Sequence, residues 1–362
     1  MSMDTFPIRR VDHVRHYVNN ARQSAFFYQH TFGFNITGFA GLETGSRDEA
    51  SYVLEQNDLR LVFSAPLRPG HPMAGLIAEH GDFVRDIAFE VDDVDWAFKA
   101  ATERGAQAAQ EPTTLEDDHG KVRVASIRTY GNVVHSLLNR DQYQGPFLPG
   151  FTSRNEPGDS IGLVEVDHCV GNVELGKMNY WVQWYQDVLG FKNLISFDDK
   201  DISTEYTALM SKVMASGNGR VKFPINEPAD GKKKSQIDEY LEFFGGAGVQ
   251  HVAMRTDDIV HTVARLRARG IQFLSVPRTY YDALEERVGE IDEDINELAD
   301  LGILVDRDDE GYLLQIFTKP ITDRPTLFYE IIHRKGAQSF GKGNFKALFE
   351  AIEREQALRG TL

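Results

Sequence analysis

At 362 residues the chain is longer than one compact domain needs, and two domains are expected. An apolar content of 41% with 26% charged residues is ordinary for a soluble globular protein. The net charge of −16 argues against a nucleic-acid partner, and the short basic run Lys232-Lys233-Lys234 lies among Pro228, Gly231 and polar residues, as a solvated loop would. Met1 to Arg10 holds no apolar targeting core, and no apolar run is long enough to span a bilayer. The lone Cys169 excludes an internal disulfide, so a cytoplasmic chain with no membrane partner is expected.

Taken in order, the chain repeats itself. Val11-Asp12-His13-Val14, followed by Phe26-Phe27-Tyr28-Gln29 and Phe32-Gly33-Phe34, returns as Val166-Asp167-His168-Cys169, followed by Trp184-Tyr185-Gln186 and Leu189-Gly190-Phe191. Asp86 to Val94, ending in Arg104-Gly105, returns as His251 to Ile259, ending in Arg269-Gly270. Val133 to Arg140 returns as Leu327 to Arg334. The offset grows from 155 to 165 to 194 residues, as it should when the second copy carries insertions. The seam falls in the Pro/Gly/Asn-rich stretch Pro149 to Gly158, giving an N-terminal domain over 1–152 and a C-terminal one over 158–362.

Each copy reads as strand, amphipathic helix and further strands. Asn179 to Leu189 carries apolar residues at helical spacing, and Gly190 stands where a helix ends. Ile259 to Arg269 repeats that design before Gly270. Tyr281 to Leu301 predicts an acid-rich helix or pair of helices, and Asn344 an N-cap for a last helix through Leu358. The pattern predicts an α+β fold of duplicated βαβββ modules forming two open barrels.

Pro325 to Arg334 predicts a strand covered on both faces, with Phe328, Glu330 and Ile332 on one side and Leu327, Tyr329 and Ile331 on the other. A carboxylate inside such a strand must be protonated, ion-paired or metal-bound, because an uncompensated buried charge costs too much. The echoed positions are His168, His251 and Glu330 in the second copy and His13, Asp86 and Ser136 in the first. Two imidazoles and a carboxylate are what a mononuclear non-haem iron(II) site requires, with the remaining positions open for substrate and oxygen. The first copy is expected to bind no metal. A lone histidine on an apolar strand is ordinarily a core residue, which is the reading for His13. Cys169 points to the opposite face from His168 and is read as core. Asp92-Asp93 and Asp257-Asp258 are read as helix-start charges, and His261 and His333 as surface residues.

Val166-Asp-His168, Gly248-Val-Gln-His251 and Phe328-Tyr-Glu330 together resemble the 4-hydroxyphenylpyruvate dioxygenase family. So do Phe223-Pro-Ile-Asn-Glu-Pro228, Gly231-Lys-Lys-Lys-Ser-Gln-Ile237, Tyr312-Leu-Leu-Gln-Ile-Phe317 and Ser339-Phe-Gly-Lys-Gly-Asn-Phe345. The resemblance covers nearly the whole chain. It implies a vicinal-oxygen-chelate (glyoxalase-like) fold with a catalytically silent N-terminal domain, assembled as a homodimer or homotetramer. It implies Fe(II) as cofactor, held by His168, His251 and Glu330, with 4-hydroxyphenylpyruvate and O2 as reactants. Homogentisate and CO2 are then the products, in tyrosine and phenylalanine catabolism.

The same resemblance implies roles around the metal. Gln315 and Phe317 share one strand face, as do Phe328 and Glu330, which brings aromatic rings near the iron. Phe340 and Phe345 close over the substrate ring, and the helix that follows gates the site. Ser211, Asn226, Gln236 and Gln250 hold the substrate or one another, although Gln250 neighbours His251 and points away from it in an ideal strand. Two other classes share parts of this pattern. 4-Hydroxymandelate synthase uses the same iron and substrate but oxidises the benzylic carbon, and Asn226, Phe317 and Phe340 fit the dioxygenase better. A non-enzymatic glyoxalase or bleomycin-resistance type binding protein would not need three buried ligands.

Overall fold

The computed structural model describes residues 6–198, 203, 204, 206–229 and 231–362. In chain order the first half contributes β1 (Ile8–Tyr17), β2 (Asn35–Ala40), β3 (Glu49–Gln56), β4 (Leu59–Pro66), β5 (Phe83–Val91), β6 (Ala108–Asp117), β7 (Gly120–Arg128), β8 (Val134–Tyr143) and β9 (Thr152–Glu156). The second contributes β10 (Leu163–Asn172), β11 (Lys192–Phe197), β12 (Ala208–Ala215), β13 (Lys222–Ala229), β14 (Gly248–Thr256), β15 (Leu304–Arg307), β16 (Tyr312–Phe317) and β17 (Phe328–Lys335). Each half makes one mixed sheet, in the orders β6-β7-β8-β5-β1-β4-β3-β2-β9 and β11-β12-β13-β10-β14-β17-β16-β15.

Each sheet joins two βαβββ modules. Within a module the first and last strands pair in parallel (β1 with β4, β5 with β8, β10 with β13, β14 with β17). The modules meet through antiparallel central pairs, β1 with β5 and β10 with β14. The duplicated α+β architecture expected from the echoes is therefore present. Thr152–Glu156, in the stretch read as the seam, lies along β2 as the edge of the first sheet. Among the described residues no helix is long and apolar enough to cross a membrane.

The crossover helices follow their sequence signals closely. Asp93 and Asp258 accept from the backbone amides of Trp96 and His261, so one acid of each pair is an N-cap. Helix Met178–Leu189 ends at Gly190 with φ +65°, a left-handed position that suits glycine. Three expectations need correction. The acid-rich stretch is not one helix or a pair but three short ones, Thr279–Asp282, Leu284–Val288 and Ile295–Leu301, interrupted at Gly289. They occupy the place where the repeat offset rises. The last helix, Lys342–Arg359, starts at Gly341, and Asn344 lies inside its first turn. Asp306 of β15 accepts the Asn344 backbone amide at 2.9 Å, so the cap comes from a distant strand. His261 is exposed, whereas His333 is half-buried with its Nδ1 enclosed and unpartnered, so His333 is not a simple surface residue.

The halves are clasped by tyrosines at echoed positions. Tyr28 of the first half donates to Tyr329 Oη at 2.8 Å, and Tyr329 meets His16 Nε2 at 2.9 Å. Tyr185 of the second half meets His135 Nε2 at 2.8 Å and Thr129 at 3.1 Å. All of these side chains are buried. Replacing Tyr329→Phe strands Tyr28 and His16 away from water, and each such group costs about 1–3 kcal/mol. With two groups stranded, chemical denaturation should show a loss of about 2–6 kcal/mol with an unchanged m-value; an unaltered midpoint would contradict the clasp.

Candidate metal centre

The site is built on four adjacent strands. His168 on β10 stands opposite Ala253 on β14, Ala253 opposite Glu330 on β17, and Glu330 opposite Phe317 on β16. Residues directly opposite one another share a sheet face, so the small Ala253 leaves space between a histidine and a carboxylate. His251, two residues before Ala253, enters the same space. The potential ligand atoms of His168, His251 and Glu330 lie within 4.8 Å of one another, and all three residues are buried. Glu330 Oε2 is 3.1 Å from His168 Nε2 and 3.4 Å from His251 Nε2.

Two β-bulges aim the imidazoles. On β10, Val166 and His168 face the consecutive residues Met254 and Ala253, so Asp167 is the extra residue. On β14, His251 and Val249 face the consecutive residues Val170 and Gly171, so Gln250 is extra. Each extra residue turns its polar side chain to the histidine beside it. Asp167 Oδ1 is 2.8 Å from His168 Nδ1, and Gln250 Oε1 is 3.0 Å from His251 Nδ1. Both acceptors place the ring proton on Nδ1 and leave the Nε2 lone pairs facing Glu330, as a metal ligand requires.

The electrostatics agree. Burial acts against the Glu330 carboxylate, and positive charge on the imidazole edges facing it more than offsets this, leaving its pKa below the ordinary glutamate value, as a cation held in the same place would. Burial likewise acts against the Asp167 carboxylate, but Arg334 and His168 hold its pKa well below the usual range. Gln315 Nε2 donates to Glu330 Oε1 at 3.2 Å. That carboxylate fixes the rest of the chain, because Gln315 must then turn its Oε1 to Asn344, which donates at 3.1 Å. Asn344 Oδ1 in turn receives the Tyr280 hydroxyl at 2.7 Å.

A cavity of about 410 Å³, including its mouth, lies over the triad. Asn226, Gln236, Gln250, Gln315, Phe317, Phe340 and Phe345 line it with the three ligands. Phe340 sets its ring edge-on to His168 at 4.7 Å. The structure does not bring every expected residue to the cavity. Phe328 stacks on the outer face of His251 at 4.7 Å and is not a lining residue. Ser211 stands opposite Asn226 in the β12/β13 pair, fully buried and outside the lining. Gln250 does reach the cavity, because the bulge breaks the alternation that sent it away.

The Glyoxalase/Bleomycin resistance protein/Dioxygenase superfamily model matches residues 10–133 and 165–316. The 4-hydroxyphenylpyruvate dioxygenase of Yarrowia lipolytica is 49% identical, over 100% of this chain and 95% of that protein. The enzyme of the same name from Neurospora crassa is 50% identical, over 97% and 92%. The chain belongs to the 4-hydroxyphenylpyruvate dioxygenase family. Its fold also superposes on a mutant 4-hydroxymandelate synthase from Streptomyces coelicolor, with a TM-score of 0.86 and 33% identity over 97% of this chain and 99% of that one.

The sequence reading gave no role to Asn172, Asp167 or Arg334. Asn172 lies on the His168 face of β10 at the strand's alternating period and donates none of its own amide hydrogens, while its Oδ1 accepts from Asn226 at 3.2 Å. Its position four residues after His168 was a usable signal. Asp167 and Arg334 sit at echoed positions with Asp12 and Arg140, which was another. In this chain the neutral isostere Glu330→Gln should weaken binding of a divalent ion beyond the 10–100-fold typical of losing an outer partner. Calorimetric titration with cobalt(II) measures this; wild-type affinity in that variant would remove Glu330 from the metal.

Proposed function

We propose that this protein is an iron(II)-dependent 4-hydroxyphenylpyruvate dioxygenase, converting 4-hydroxyphenylpyruvate and O2 to homogentisate and CO2. The observation that carries this reading is the pairing of a two-histidine, one-carboxylate donor set with a cluster of buried polar atoms lacking partners. These atoms are Asn226 Oδ1 and Gln236 Oε1, both on residues that line the cavity. A buried polar atom without a partner costs about 1–3 kcal/mol, so the cluster favours a polar occupant. An aromatic keto acid offers an anionic chelating end for the metal and a phenol hydroxyl for the amides. Carboxylate and imidazole donors with open positions suit iron(II).

Iron(II), when bound, supplies positions for the keto acid and dioxygen and the electrons that start oxygen reduction as the substrate loses CO2. The chain's own residues do the rest. His168 and His251 present unprotonated Nε2 atoms, and Glu330 balances the charge of the ion. Gln315 keeps Glu330 turned toward the histidines through its 3.2 Å hydrogen bond. Phe317 and Phe340 flank the ring and exclude water, which keeps the reacting atoms aligned. Gln236, Gln250 and Asn226 orient the substrate, with Ser211 behind Asn226. Phe328 acts at one remove, fixing the His251 ring by stacking. Both atoms of O2 enter the product, and the carbon lost is the keto acid's carboxylate.

We place the catalysis in the C-terminal domain, with residues 1–152 as its non-catalytic partner. In the first half Asp86 and Ser136 satisfy each other, the Ser136 amide donating to Asp86 at 2.9 Å. The final helix is read as the gate. Phe345 and Phe349 pack with Phe197, Leu209 and Phe340, while Leu348 and Ala351 pack with Phe317 and Phe328. The helix thus bridges both walls of the cavity. A cytoplasmic homodimer or homotetramer belongs to the same reading.

The synthase-like superposition makes benzylic oxidation the second reading; the higher identity to named dioxygenases favours ring attack. Supplying 4-hydroxyphenylpyruvate, iron(II) and oxygen should yield homogentisate by chromatography, and hydroxymandelate as the main product would reverse the assignment. A barrier change of about 1.4 kcal/mol alters a product ratio tenfold. Phe340→Leu should therefore divert measurable flux to 4-hydroxymandelate with metal binding retained. Removing residues from Phe340 onward should leave a folded metal-binding protein that consumes more oxygen than it forms product; tightly coupled turnover there would refute the gate.

A further inference from the structure

The two halves keep the same support around one histidine. In the second, the Arg334 guanidinium donates to Asp167 through Nε at 2.7 Å and Nη2 at 2.8 Å, and Asp167 holds His168 Nδ1. In the first, Arg140 grips Asp12 through Nε at 3.0 Å and Nη2 at 2.7 Å, and Asp12 holds His13 Nδ1 at 2.7 Å. Asp12, like Asp167, is the extra residue of a bulge. A phenylalanine sits edge-on to each histidine, Phe340 at 4.7 Å and Phe147 at 4.9 Å. Each arginine lies over that ring, at 5.3 Å and 4.7 Å.

One atom differs. Arg140 Nη1 is buried and has no partner. Arg334 Nη1 donates to the Ser339 carbonyl at 2.7 Å and the Ala337 carbonyl at 3.3 Å, within the short segment that delivers Phe340 to the cavity. The other side of this segment is held by Asp308, whose Oδ2 accepts the Gln338 and Ser339 amides, each at 2.8 Å. Glu330 lies on the same strand, four residues before Arg334.

We propose that Arg334 is a positioning residue that couples His168, through Asp167, to the segment carrying Phe340. It thereby ties the setting of a metal ligand to closure of the cavity. The planar fork is what allows this, since three nitrogens in fixed geometry serve two separate elements at once, a bidentate spread that the single nitrogen of a lysine ammonium does not reproduce. The proposal rests on the metal-centre reading above. Arg140 provides an internal control with the same two-nitrogen grip on its aspartate, although Asp12 also meets Arg60 at 3.3 Å, and without ligands at Asp86 and Ser136.

The test compares full-length wild type, Arg334→Lys and Arg140→Lys. Cobalt(II) affinity and its visible spectrum report the centre, and amide exchange over residues 337–341 reports the segment. Both variants should lose thermal stability. Only Arg334→Lys should bind cobalt about 10–100-fold more weakly, with an altered spectrum, and exchange faster over 337–341. Arg140→Lys should match wild type in both. Equal effects in the two variants, or wild-type affinity and exchange in Arg334→Lys, would overturn the coupling. Wild-type protein that binds no cobalt would instead overturn the metal centre itself. If Arg334→Lys does not fold, the unsubstituted protein decides by reciprocity. Cobalt should slow exchange over 337–341 and leave the Phe147 segment unchanged, and no slowing would count against the proposal.

Discussion

A carboxylate that is 1% exposed inside an apolar strand is the constraint on which the second half depends. Glu330 cannot stand there alone, because burying an isolated charge costs more than its strand can return. Every nearby feature answers that cost. Two imidazoles face one of its oxygens, an amide donor faces the other, and the residue beside it across β14 is an alanine. The alanine is the less obvious part. A larger side chain at that point would fill the place where a cation can sit between three donors.

The duplication explains how such a centre is held rigid. The Asp–Arg pair, the bulge and the edge-on phenylalanine recur in a half whose remaining ligand positions hold an aspartate and a serine. This support therefore serves the barrel in its own right, fixing a histidine and setting a phenylalanine edge-on beside it. The second half adds ligands to it, and adds a connection from the arginine to the chain that follows. Phe147 has a positive φ of 42°, an uncommon conformation for a bulky side chain. Its counterpart, Phe340, precedes Gly341 at φ +64°, where the chain turns into the last helix.

Much of this was legible in the sequence. The echoes located the βαβββ modules, because a duplicated core must repeat its apolar periodicity, and the same alignment put His168, His251 and Glu330 at matching positions. What was missed has a common physical cause. Alternation along a strand sends Gln250 away from His251, and only the bulge, which sequence periodicity does not encode, brings it back. Asn344 has the chemistry of an N-cap, but Asp306 from a distant strand caps that helix, and Asn344 is spent on Gln315. The stretch from Tyr281 to Leu301 has helical composition, yet Gly289 and the polar residues after it break it into short pieces. Phe328 shares a face with Glu330 as expected, but lies behind the His251 ring instead of in the cavity. Ligand identity was local information, whereas orientation came from pairing partners far away in the chain.

The most direct test is anomalous diffraction at the iron edge from crystals loaded with iron(II) under nitrogen. The account predicts one peak per chain, coordinated by His168 Nε2, His251 Nε2 and a Glu330 oxygen, with none beside His13. A peak beside His13 and Asp86, or iron bound without Glu330, would contradict it.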